Sequence, residues 1–496
     1  MKKSIFGMLL MLESLFLAFV TLVALYYHYT LGETDWKAFG ITTGITWLAG
    51  ALFTAYGHTE LGRKEKQLSR GGSFIIVGLT WVVFSLFGML PFILYDGLDV
   101  DIASAYFETM SGFSTMGATI IPNIEDMPHG ILMWRSLMQW MGGLGIVVFS
   151  FALLPVKDMK NSTMFIAEMS GLSIHRLQPK IGATSRRLLL IYLVLTIICT
   201  LMFWAGPMGL YDSVCFALST VATGGFAPHT ASIGYFHSAY IEYVCATFMI
   251  ISSLNFGIYY YLSIMQGRVC LKNEEVKSFL MTVIGLVALF CLLFRFKTFD
   301  GSVDVPQTGE SIFRTSLFHV ATIISSCGFQ AESFDYVGWG TAFWIPTVAM
   351  MILGGCTVST AGGMKMMRVL IYLKYALREF RVHLHPHAVI SIKFNGRIIG
   401  DQHIRRVMSY LVIYVFILLI CCGLMTMFMD YDLTTAFGAV VSSFGNTGPA
   451  LGELGPANNF VSVPAAGKWM LSFLMLVGRL EIFTVLFLFM PKAWRL

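Results

Sequence analysis

The sequence predicts an all-α polytopic membrane protein, and three observations lead to this fold class. Hydrophobic residues make up 56% of the chain and charged residues only 12%, whereas soluble domains contain about 25% charged residues. Apolar runs of membrane-spanning length recur along the 496 residues, enough for roughly ten spans of about 20 residues with their loops. Four short glycine-centred segments lie between these runs at near-regular spacing, which indicates internal repetition.

Charge, cysteine usage and motifs exclude other classes of protein. The net charge of +5 comes from basic residues spread over alternate loops, which indicates orientation in a bilayer rather than nucleic-acid binding. The nine cysteines lie mostly in apolar runs without CxxC spacing, so we predict no disulfide or zinc framework. Because no Walker A motif, dinucleotide-binding motif, Ser/His/Asp set or paired-carboxylate site occurs in a suitable context, we predict no enzymatic activity and no organic cofactor.

The spans follow from the apolar runs, taken in chain order. They are predicted near 5–27, 37–56, 72–95, 131–154, 187–206, 238–264, 279–296, 339–376, 408–429 and 467–490. The first run is too long for a signal peptide and no small-residue cleavage site follows it, so it predicts a membrane helix with a cytoplasmic N-terminus. The stretch 339–376 is too long for one helix and is interrupted by glycine pairs at 354–355 and 362–363.

Positive charge sets the predicted orientation, since loops rich in Lys and Arg stay in the cytoplasm. Basic residues cluster in the loops near 57–71, 155–186 and 377–407, whereas 96–130 and 207–237 contain no Lys or Arg. All four glycine-centred segments fall in outward-facing loops, and both termini of the chain are predicted to be cytoplasmic.

The glycine-centred segments have glycines 117, 225, 328 and 448 at their centres, and each follows an apolar stretch too short to span a membrane. A short helix that dips into the membrane and returns through an irregular loop is allowed only where it is buried in protein or lines water. One such segment alone would favour an ordinary extracellular turn. Four in register on one side favour re-entrant pore loops.

The repeating unit is therefore a span, a short helix, a glycine loop and a second span. Four such units in one chain can surround one pseudo-fourfold pore, building by themselves the ring of carbonyls that potassium channels build from four subunits. We predict an N-terminal helix pair with its cytoplasmic loop over 1–71, and pore repeats over 72–160, 161–272, 273–383 (with an intramembrane gating loop) and 384–496.

The chemistry of the loops is that of cation coordination. A dehydrated cation needs oxygen ligands, which backbone carbonyls supply if the chain turns, and glycine tolerates the positive φ that such a turn needs. The side chains of Met116 and Cys327 cannot supply good oxygen ligands, so the backbone must act there. The predicted ligands are Thr115, Met116, Gly117, Thr223, Gly224, Gly225, Ser326, Cys327, Gly328, Asn446, Thr447 and Gly448.

Acidic residues of the outer loops, Asp96, Asp99, Asp101 and Glu125, have two interpretations. They would raise the local concentration of cations near the pore, or they are ordinary solvated loop charges.

Three longer motifs carry a family resemblance: Arg135 to Ile146 (RSLMQWMGGLGI), Gly354 to Lys365, and Gly478 to Phe483 (GRLEIF). With the four pore loops in order, they are specific as a set. The chain resembles the membrane subunit of bacterial Trk-type potassium uptake systems, within the Trk/Ktr/HKT superfamily. The resemblance covers nearly the whole chain, and the N-terminal helix pair is similar to that of the TrkH/TrkG branch.

The resemblance implies potassium uptake across the bacterial cytoplasmic (inner) membrane, with K⁺ as the transported ion. It also implies a homodimer and a cytoplasmic ring of TrkA-like nucleotide-binding regulatory subunits. In the plant branch, serine at the first filter glycine accompanies sodium transport, so Gly117 favours potassium. Two positions depart from the family: Met116 stands where many members carry a second threonine, and Ser325-Ser326-Cys327 replaces a threonine run.

The interrupted eighth span predicts a gate. Small polar residues such as Thr360 cannot form a stable lipid-facing helix, so the segment should be buried and irregular and lie below the filter; the alternative is a close helix crossing through glycines. The predicted gating residues are Gly354, Gly355, Thr357, Ser359, Gly362, Gly363, Lys365 and Arg479.

Arg479 lies about 16 Å from the start of the last predicted span, near mid-bilayer. A charge at that depth usually faces a bundle interior or water. One interpretation, favoured by the resemblance, is a positive barrier in the pore below the filter, and the other is a structural ion pair with an acid elsewhere.

The leading function is therefore a channel-like potassium transporter embedded in membrane lipid, with no nucleic-acid partner. The alternatives are a cation symporter driven by Na⁺ or H⁺, and a membrane sensor or scaffold without transport. A sensor would need a soluble domain, and no predicted loop is long enough for a conventional one.

Overall fold

A computed structural model describes residues 2–59, 70–152, 181–263, 273–297, 305–331, 335–388, 390–429, 431–456 and 458–491. Within these ranges the chain is almost entirely helical, and its only sheet is an antiparallel hairpin of β1 (Lys393–Phe394) and β2 (Arg397–Ile398). The predicted all-α fold class is confirmed. The predicted basic loops near 57–71 and 155–186 lie largely outside the described residues.

A helix pair, α1 (Lys2–Leu31) and α2 (Trp36–Thr59), precedes the repeats. The two helices approach closely at Gly7, where an added Cβ would lie 2.2 Å from the hydroxyl oxygen of Thr54. Small residues at such a crossing allow helix backbones to pack together within a membrane.

Four groups of helices follow, and each contains one of the short helices that precede the glycine-centred segments, which we call the pore helices after the predicted pore repeats. The first contains α3 (Arg70–Gly88), α4 (Leu90–Leu94), the pore helix α5 (Ile102–Ser114) and α6 (His129–Ala152). The second contains α7 (Ile181–Trp204), the pore helix α8 (Leu210–Ala222), α9 (Ala239–Ser253) and α10 (Phe256–Ser263). The third contains α11 (Glu274–Phe296), the pore helix α12 (Gly309–Ile324), α13 (Thr341–Leu353) and α14 (Met366–Leu384). The fourth contains α15 (Asp401–Met429), the pore helix α16 (Leu433–Gly445), α17 (Ala465–Leu480) and α18 (Ile482–Leu486).

Side-chain caps set where three of the pore helices begin. Asp101 accepts a hydrogen bond from the backbone N–H of Ser104 at 3.2 Å, and Asp432 accepts one from Thr435 at 3.1 Å. Thr308 and Ser311 form a capping box at the start of α12. These caps satisfy amide groups that the first turn of a helix leaves without partners.

Six helices of the described part are long and apolar enough to cross a membrane, and the bent pair Ala465–Leu480 and Ile482–Phe489 would make a seventh. The protein is therefore a multi-pass membrane protein. Large apolar side chains such as Leu22, Ile198 and Leu419 are exposed on the outer helices, as expected for a surface that contacts lipid. The pore helices lie at the centre, and α5 is buried from Ala103 to Ser114.

Two predicted spans, 238–264 and 467–490, are interrupted, so the expectation of one continuous helix in each is wrong. The first breaks at Asn255, whose side-chain oxygen accepts the N–H of Gly257 at 2.8 Å; such a local bond competes with helix. The second breaks at Glu481, which has φ 68°, and the axes on either side differ by 118°. The break expected within 339–376 covers 354–365.

Candidate functional site

The four pore helices end in the same backbone conformation. After each helix one residue is left-handed, and a glycine two positions later again has positive φ. The left-handed residues are Thr115, Thr223, Ser326 and Asn446, with φ of 54° to 57°, and the glycines are Gly117, Gly225, Gly328 and Gly448, with φ of 82° to 97°. Non-glycine residues adopt this region at a cost of about 1–3 kcal/mol each, so the surroundings must hold them there.

Backbone hydrogen bonds fix each of these turns. The amide after each left-handed residue donates to a carbonyl oxygen five residues earlier, at 2.9–3.0 Å; the pairs are Met116 to Ser111, Gly224 to Ser219, Cys327 to Thr322 and Thr447 to Ser442. Bonds of this span are typical of glycine-terminated helix ends. The four loops therefore share one geometry although their side chains differ.

The four loops contact one another in chain order and close into a ring. An added Cβ at Gly117 would lie 2.2 Å from the carbonyl oxygen of Gly224. The equivalent distances are 2.0 Å from Gly225 to the oxygen of Cys327, 2.3 Å from Gly328 to that of Thr447, and 2.6 Å from Gly448 to that of Met116. Each glycine thus packs against the carbonyl that precedes the glycine of the next loop, and the fourth loop returns to the first.

All twelve residues predicted as ligands lie in this ring, and their role as ligands stays a prediction. The side chains of Met116 and Cys327 are fully buried in the surrounding core, so only their backbone is available to the ring. The hydroxyl groups of Thr115 and Thr447 have no hydrogen-bond partner within the described ranges. Since the carbonyl ends of four helices meet here, the site carries partial negative charge and favours a cation.

Seven of the eight predicted gating residues belong to one stretch, 354–365, which we call the intramembrane segment, and the eighth, Arg479, lies on α17. The segment is buried from Gly354 to Met364, and its backbone is irregular, as predicted. Gly354 has φ 66°, and an added Cβ there would lie 2.2 Å from the carbonyl oxygen of Gly362. The two ends of the segment therefore pack against each other at a distance that only glycine permits.

The intramembrane segment lies against the ends of three pore helices. The hydroxyl of Thr360 donates to the carbonyl of Val221 at 3.2 Å, and the N–H of Gly362 donates to the hydroxyl of Ser326 at 2.5 Å. An added Cβ at Gly362 would lie 2.1 Å from the carbonyl oxygen of Gly445. The segment is thus in direct contact with the loops of the ring.

Arg479 lies in the last turn of α17, and its side chain is 4% exposed. Its guanidinium donates to the carbonyl oxygens of Thr360 at 2.5 Å and Gly142 at 3.1 Å. Among the described residues no carboxylate lies within 4 Å of it, and Glu481, two positions along the chain, pairs with Arg368 at 2.8 Å. These contacts argue against the second interpretation, a structural ion pair, and the role of Arg479 as a barrier stays a prediction.

Lys365 lies at the end of the intramembrane segment. Its ammonium group donates to the carbonyl oxygen of Ala361, inside the segment. Within the segment Thr357 and Ser359 are also buried, and the hydroxyl of Ser359 donates to the carbonyl of Cys356 at 2.6 Å.

Comparison with known proteins identifies the family. The model of the TrkH family, described as a cation transport protein, matches residues 46–496. This chain belongs to the TrkH family. It is 34% identical over 495 residues to the Trk system potassium uptake protein TrkH of Salmonella typhimurium, covering 99% of this chain and 98% of the relative. A Halomonas elongata protein of the same name is 35% identical over 499 residues, with coverage of 99% and 98%.

A solved structure supports the same assignment. The crystal structure of the potassium transporter TrkH from Vibrio parahaemolyticus matches with a TM-score of 0.86 and 30% sequence identity, over 99% of both chains. The predicted resemblance to the TrkH branch is therefore confirmed.

Sequence reasoning missed two braces of the ring in this TrkH-family chain. The first is Gln139 on α6, whose amide donates to the carbonyl of Gly224 at 2.6 Å and accepts the N–H of Phe226 at 3.0 Å. One of the four ring carbonyls is thus bound by a side chain. Gln139 and Arg135 lie inside the predicted span 131–154, and a polar group in an apolar span is the signal that indicates a functional or structural site.

The second brace is a buried ion pair between Glu108 and Arg135, with 2.8 Å between Oε1 and Nε. Glu108 also accepts the N–H of Ile120 at 2.8 Å and the hydroxyl of Thr119 at 3.0 Å. Arg135 donates to the carbonyl of Ala227 at 3.1 Å. The pair therefore ties the chain after the first pore loop to the chain after the second.

Two of the four outer-loop acids have structural partners. Asp101 caps α5, and its pKa is lowered because the side chain of Ser104 donates a hydrogen bond to the carboxylate. Glu125 accepts the N–H of Thr230 at 2.8 Å and also its hydroxyl, so it joins the first outer loop to the second. For these two residues a structural role accounts for the charge.

Proposed function

We propose that this TrkH-family protein takes up potassium across the cytoplasmic membrane of a bacterium through the ring of four pore loops. The observation that carries the proposal is the closure of the ring. At each of the four glycines, an added Cβ would lie 2.6 Å or less from a carbonyl oxygen of the next loop. Relatives over nearly the full length are named Trk system potassium uptake proteins. Carbonyl oxygens of such a ring would replace the hydration shell of K⁺, the transported ion.

The intramembrane segment and Arg479 act in this proposal as the gate. The guanidinium is always charged and would stand below the ring, where it repels a cation that leaves the filter. Its contacts with Thr360 and Gly142 hold it there, and both acceptors are backbone carbonyls that do not neutralise it. Displacement of the segment would take away one of these two contacts, so movement of the loop and of the charge would be coupled.

The proposal extends to the assembly. The family resemblance supports a homodimer with a cytoplasmic ring of TrkA-like nucleotide-binding subunits, with both chain termini on the cytoplasmic side. The relatives' names, which place them in a Trk system, support the existence of partner subunits. We expect no organic cofactor in this chain.

The test is rescue of a bacterium that lacks its own potassium uptake systems, grown at low K⁺, with Rb⁺ uptake measured in parallel. Wild-type protein should restore growth. Gly225→Ala should abolish rescue, because its Cβ would meet the oxygen of Cys327 at 2.0 Å and alanine disfavours φ 86°. Gly285→Ala is the matched control, since nothing lies within 4 Å of an added Cβ there. Equal rescue by both variants would contradict the ring as the conduction path, and rescue that requires external Na⁺ or an inward proton gradient would indicate a symporter.

A further inference from the structure

The intramembrane segment is anchored by a carboxylate that lies outside the ring. Glu275, in the first turn of α11, is fully buried. Its Oε1 accepts the N–H of Thr357 at 2.6 Å, and its Oε2 accepts the hydroxyl of the same residue at 2.9 Å. A buried carboxylate requires such partners, and here both of its oxygens bind one residue of the segment.

The break between α9 and α10 holds the same part of the segment from the other side. The side chain of Asn255 donates to the hydroxyl oxygen of Thr357 at 3.3 Å. Two backbone bonds flank this contact: Cys356 donates to Ser253 at 2.9 Å, and Phe256 donates to Val358 at 3.1 Å. The backbone of residues 356–358 is thereby fixed, including Val358 with its positive φ of 56°.

The residue next to Glu275 makes its contacts in a different direction. The carboxylate of Glu274 pairs with the ammonium group of Lys374 on α14. Lys374 also donates to the carbonyl of Lys393 in the hairpin at 2.7 Å, and the N–H of Glu274 donates to the side chain of Asn395 at 2.8 Å. One helical turn therefore binds the intramembrane segment through one acid and the hairpin through the other.

This turn is stiff. Asn273 caps α11 and accepts the N–H groups of Glu275 at 2.9 Å and Val276 at 3.3 Å. Because the two acids are adjacent in a capped turn, a displacement of the hairpin or α14 moves the carboxylate that holds Thr357. The turn lies at the end of α11 remote from the pore helix α12, which in the proposed orientation is the cytoplasmic end.

We infer that Glu275 is a positioning residue that latches the intramembrane segment below the ring, and that Glu274 and Lys374 connect this latch to the β1–β2 hairpin as the route of cytoplasmic control. The inference rests on the proposed function for its consequence, since release of the latch would open the pore. The placement of the segment itself does not depend on which ion is transported.

Cys356 provides a direct measurement of the latch, because its thiol is fully buried next to Thr357. The full-length protein in lipid vesicles is treated with a small maleimide, and modification of Cys356 is located by mass spectrometry. Glu275→Ala should raise the labelling rate of Cys356 by roughly tenfold or more, as expected for loss of hydrogen bonds to a charged group. Thr357→Val keeps the backbone N–H and should have a smaller effect, and Glu275→Gln should restore most of the protection.

Control variants distinguish loss of the Glu275 contact from a general destabilisation of the protein. Glu13→Gln changes another fully buried glutamate, in α1, whose carboxylate has no hydrogen-bond partner within the described ranges, and should leave Cys356 protected. Lys374→Ala breaks the connection to the hairpin and should raise labelling by about two- to fivefold, whereas Arg405→Ala, an exposed cation on α15, should not.

Rb⁺ flux measured in the same vesicles completes the test. If the latch controls the pore, Glu275→Ala raises flux in parallel with labelling while the K⁺ over Na⁺ preference is kept. Unchanged labelling of Cys356 in both Glu275→Ala and Thr357→Val overturns the latch, and unchanged labelling in Lys374→Ala overturns the route through the hairpin. If wild-type protein conducts no K⁺, the proposed function fails, yet the labelling comparison still decides the latch.

Discussion

The ring of pore loops and the intramembrane segment below it both contain backbone with positive φ, but different kinds of contact stabilise it in the two regions. In the ring, the same pair of positive-φ positions occurs four times, fixed by bonds within each loop and by contact with the next loop. The segment occurs once, and besides its backbone bonds and its contacts with the pore helices it is bound by single side chains elsewhere, namely Glu275, Asn255 and Arg479. The ring thus repeats one set of bonds four times, whereas each bond to the segment occurs once, so we expect the loss of one bond to loosen the segment more than the ring.

Among substitutions that test this comparison, we expect Arg479→Ala to change K⁺ flux the most. At an assumed separation of about 6 Å and an effective dielectric constant of about 20, Coulomb's law gives a repulsion on the order of 3 kcal/mol between the guanidinium and a K⁺ ion. Removing it should raise K⁺ flux by roughly 100-fold. Rb⁺ flux per folded protein in vesicles checks this result.

The substitution leaves the four loops of the ring unchanged, so the K⁺ over Na⁺ preference of Arg479→Ala should equal that of wild type. Arg187→Ala, an exposed arginine at the start of α7, serves as the control. A folded Arg479→Ala protein with unchanged or lower flux would remove the barrier from the mechanism.

A smaller effect is expected in the ring, where backbone and side chain can be separated. Gly117→Ser places a Cβ 2.2 Å from the carbonyl oxygen of Gly224 at φ 83°, and the strain of about 1–2 kcal/mol should reduce the K⁺ over Na⁺ preference by roughly tenfold. Cys327→Ser changes a buried side chain of the same ring and should alter the preference by less than about threefold. Competitive uptake of Rb⁺ and Na⁺ measures both. A larger loss in Cys327→Ser than in Gly117→Ser would mean that side chains, not backbone, define the ring.

The smallest effect concerns a site outside both regions, in the turn between α1 and α2. Burial, together with the charge of Glu33, raises the pKa of Asp35 to about 6 from its ordinary 3.8. Glu33 itself binds the N–H and the ring of His129 at the start of α6, at 3.0 and 2.6 Å. Between about pH 4 and 6 the folded protein keeps a proton that the unfolded chain has lost, so stability falls as pH rises through this window and is constant above it.

Wild-type protein should therefore unfold at a temperature higher by on the order of 1–2 °C at pH 5 than at pH 7.5 on account of this group. Asp35→Asn should remove that part of the difference, as measured by thermal unfolding in detergent, and leave Rb⁺ flux unchanged. An identical pH dependence in Asp35→Asn would assign the effect to another group.

Sequence alone was sufficient for the ring because every part of its signal is local. A short apolar helix, a small polar residue and a glycine recur within each repeat, and the positions of Gly117 and Gly225 followed from that pattern. The segment 354–365 was also visible, since its glycines interrupt an apolar stretch.

The contacts that hold these parts could not be predicted in the same way. Glu275 lies 82 residues from Thr357, and Glu108 lies 27 from Arg135. The sequence around each glutamate does not indicate which distant residue it contacts. The breaks at Asn255 and Glu481 were missed because one polar residue hardly changes the hydropathy of a span, whereas a single side-chain bond or left-handed residue is enough to end a helix.

The ring can close only after the fourth pore loop has been synthesised. The amide of Asn446 in the fourth pore loop donates to the carbonyl of Ser114 in the first at 3.0 Å, across 332 residues of chain. At about 5–20 residues per second, the first loop waits on the order of 20 to 60 s for its last neighbour to leave the ribosome. By the end of that interval three left-handed turns and their carbonyls wait in the membrane for the contact that completes them, so a chain that stops before the fourth repeat would leave the ring open.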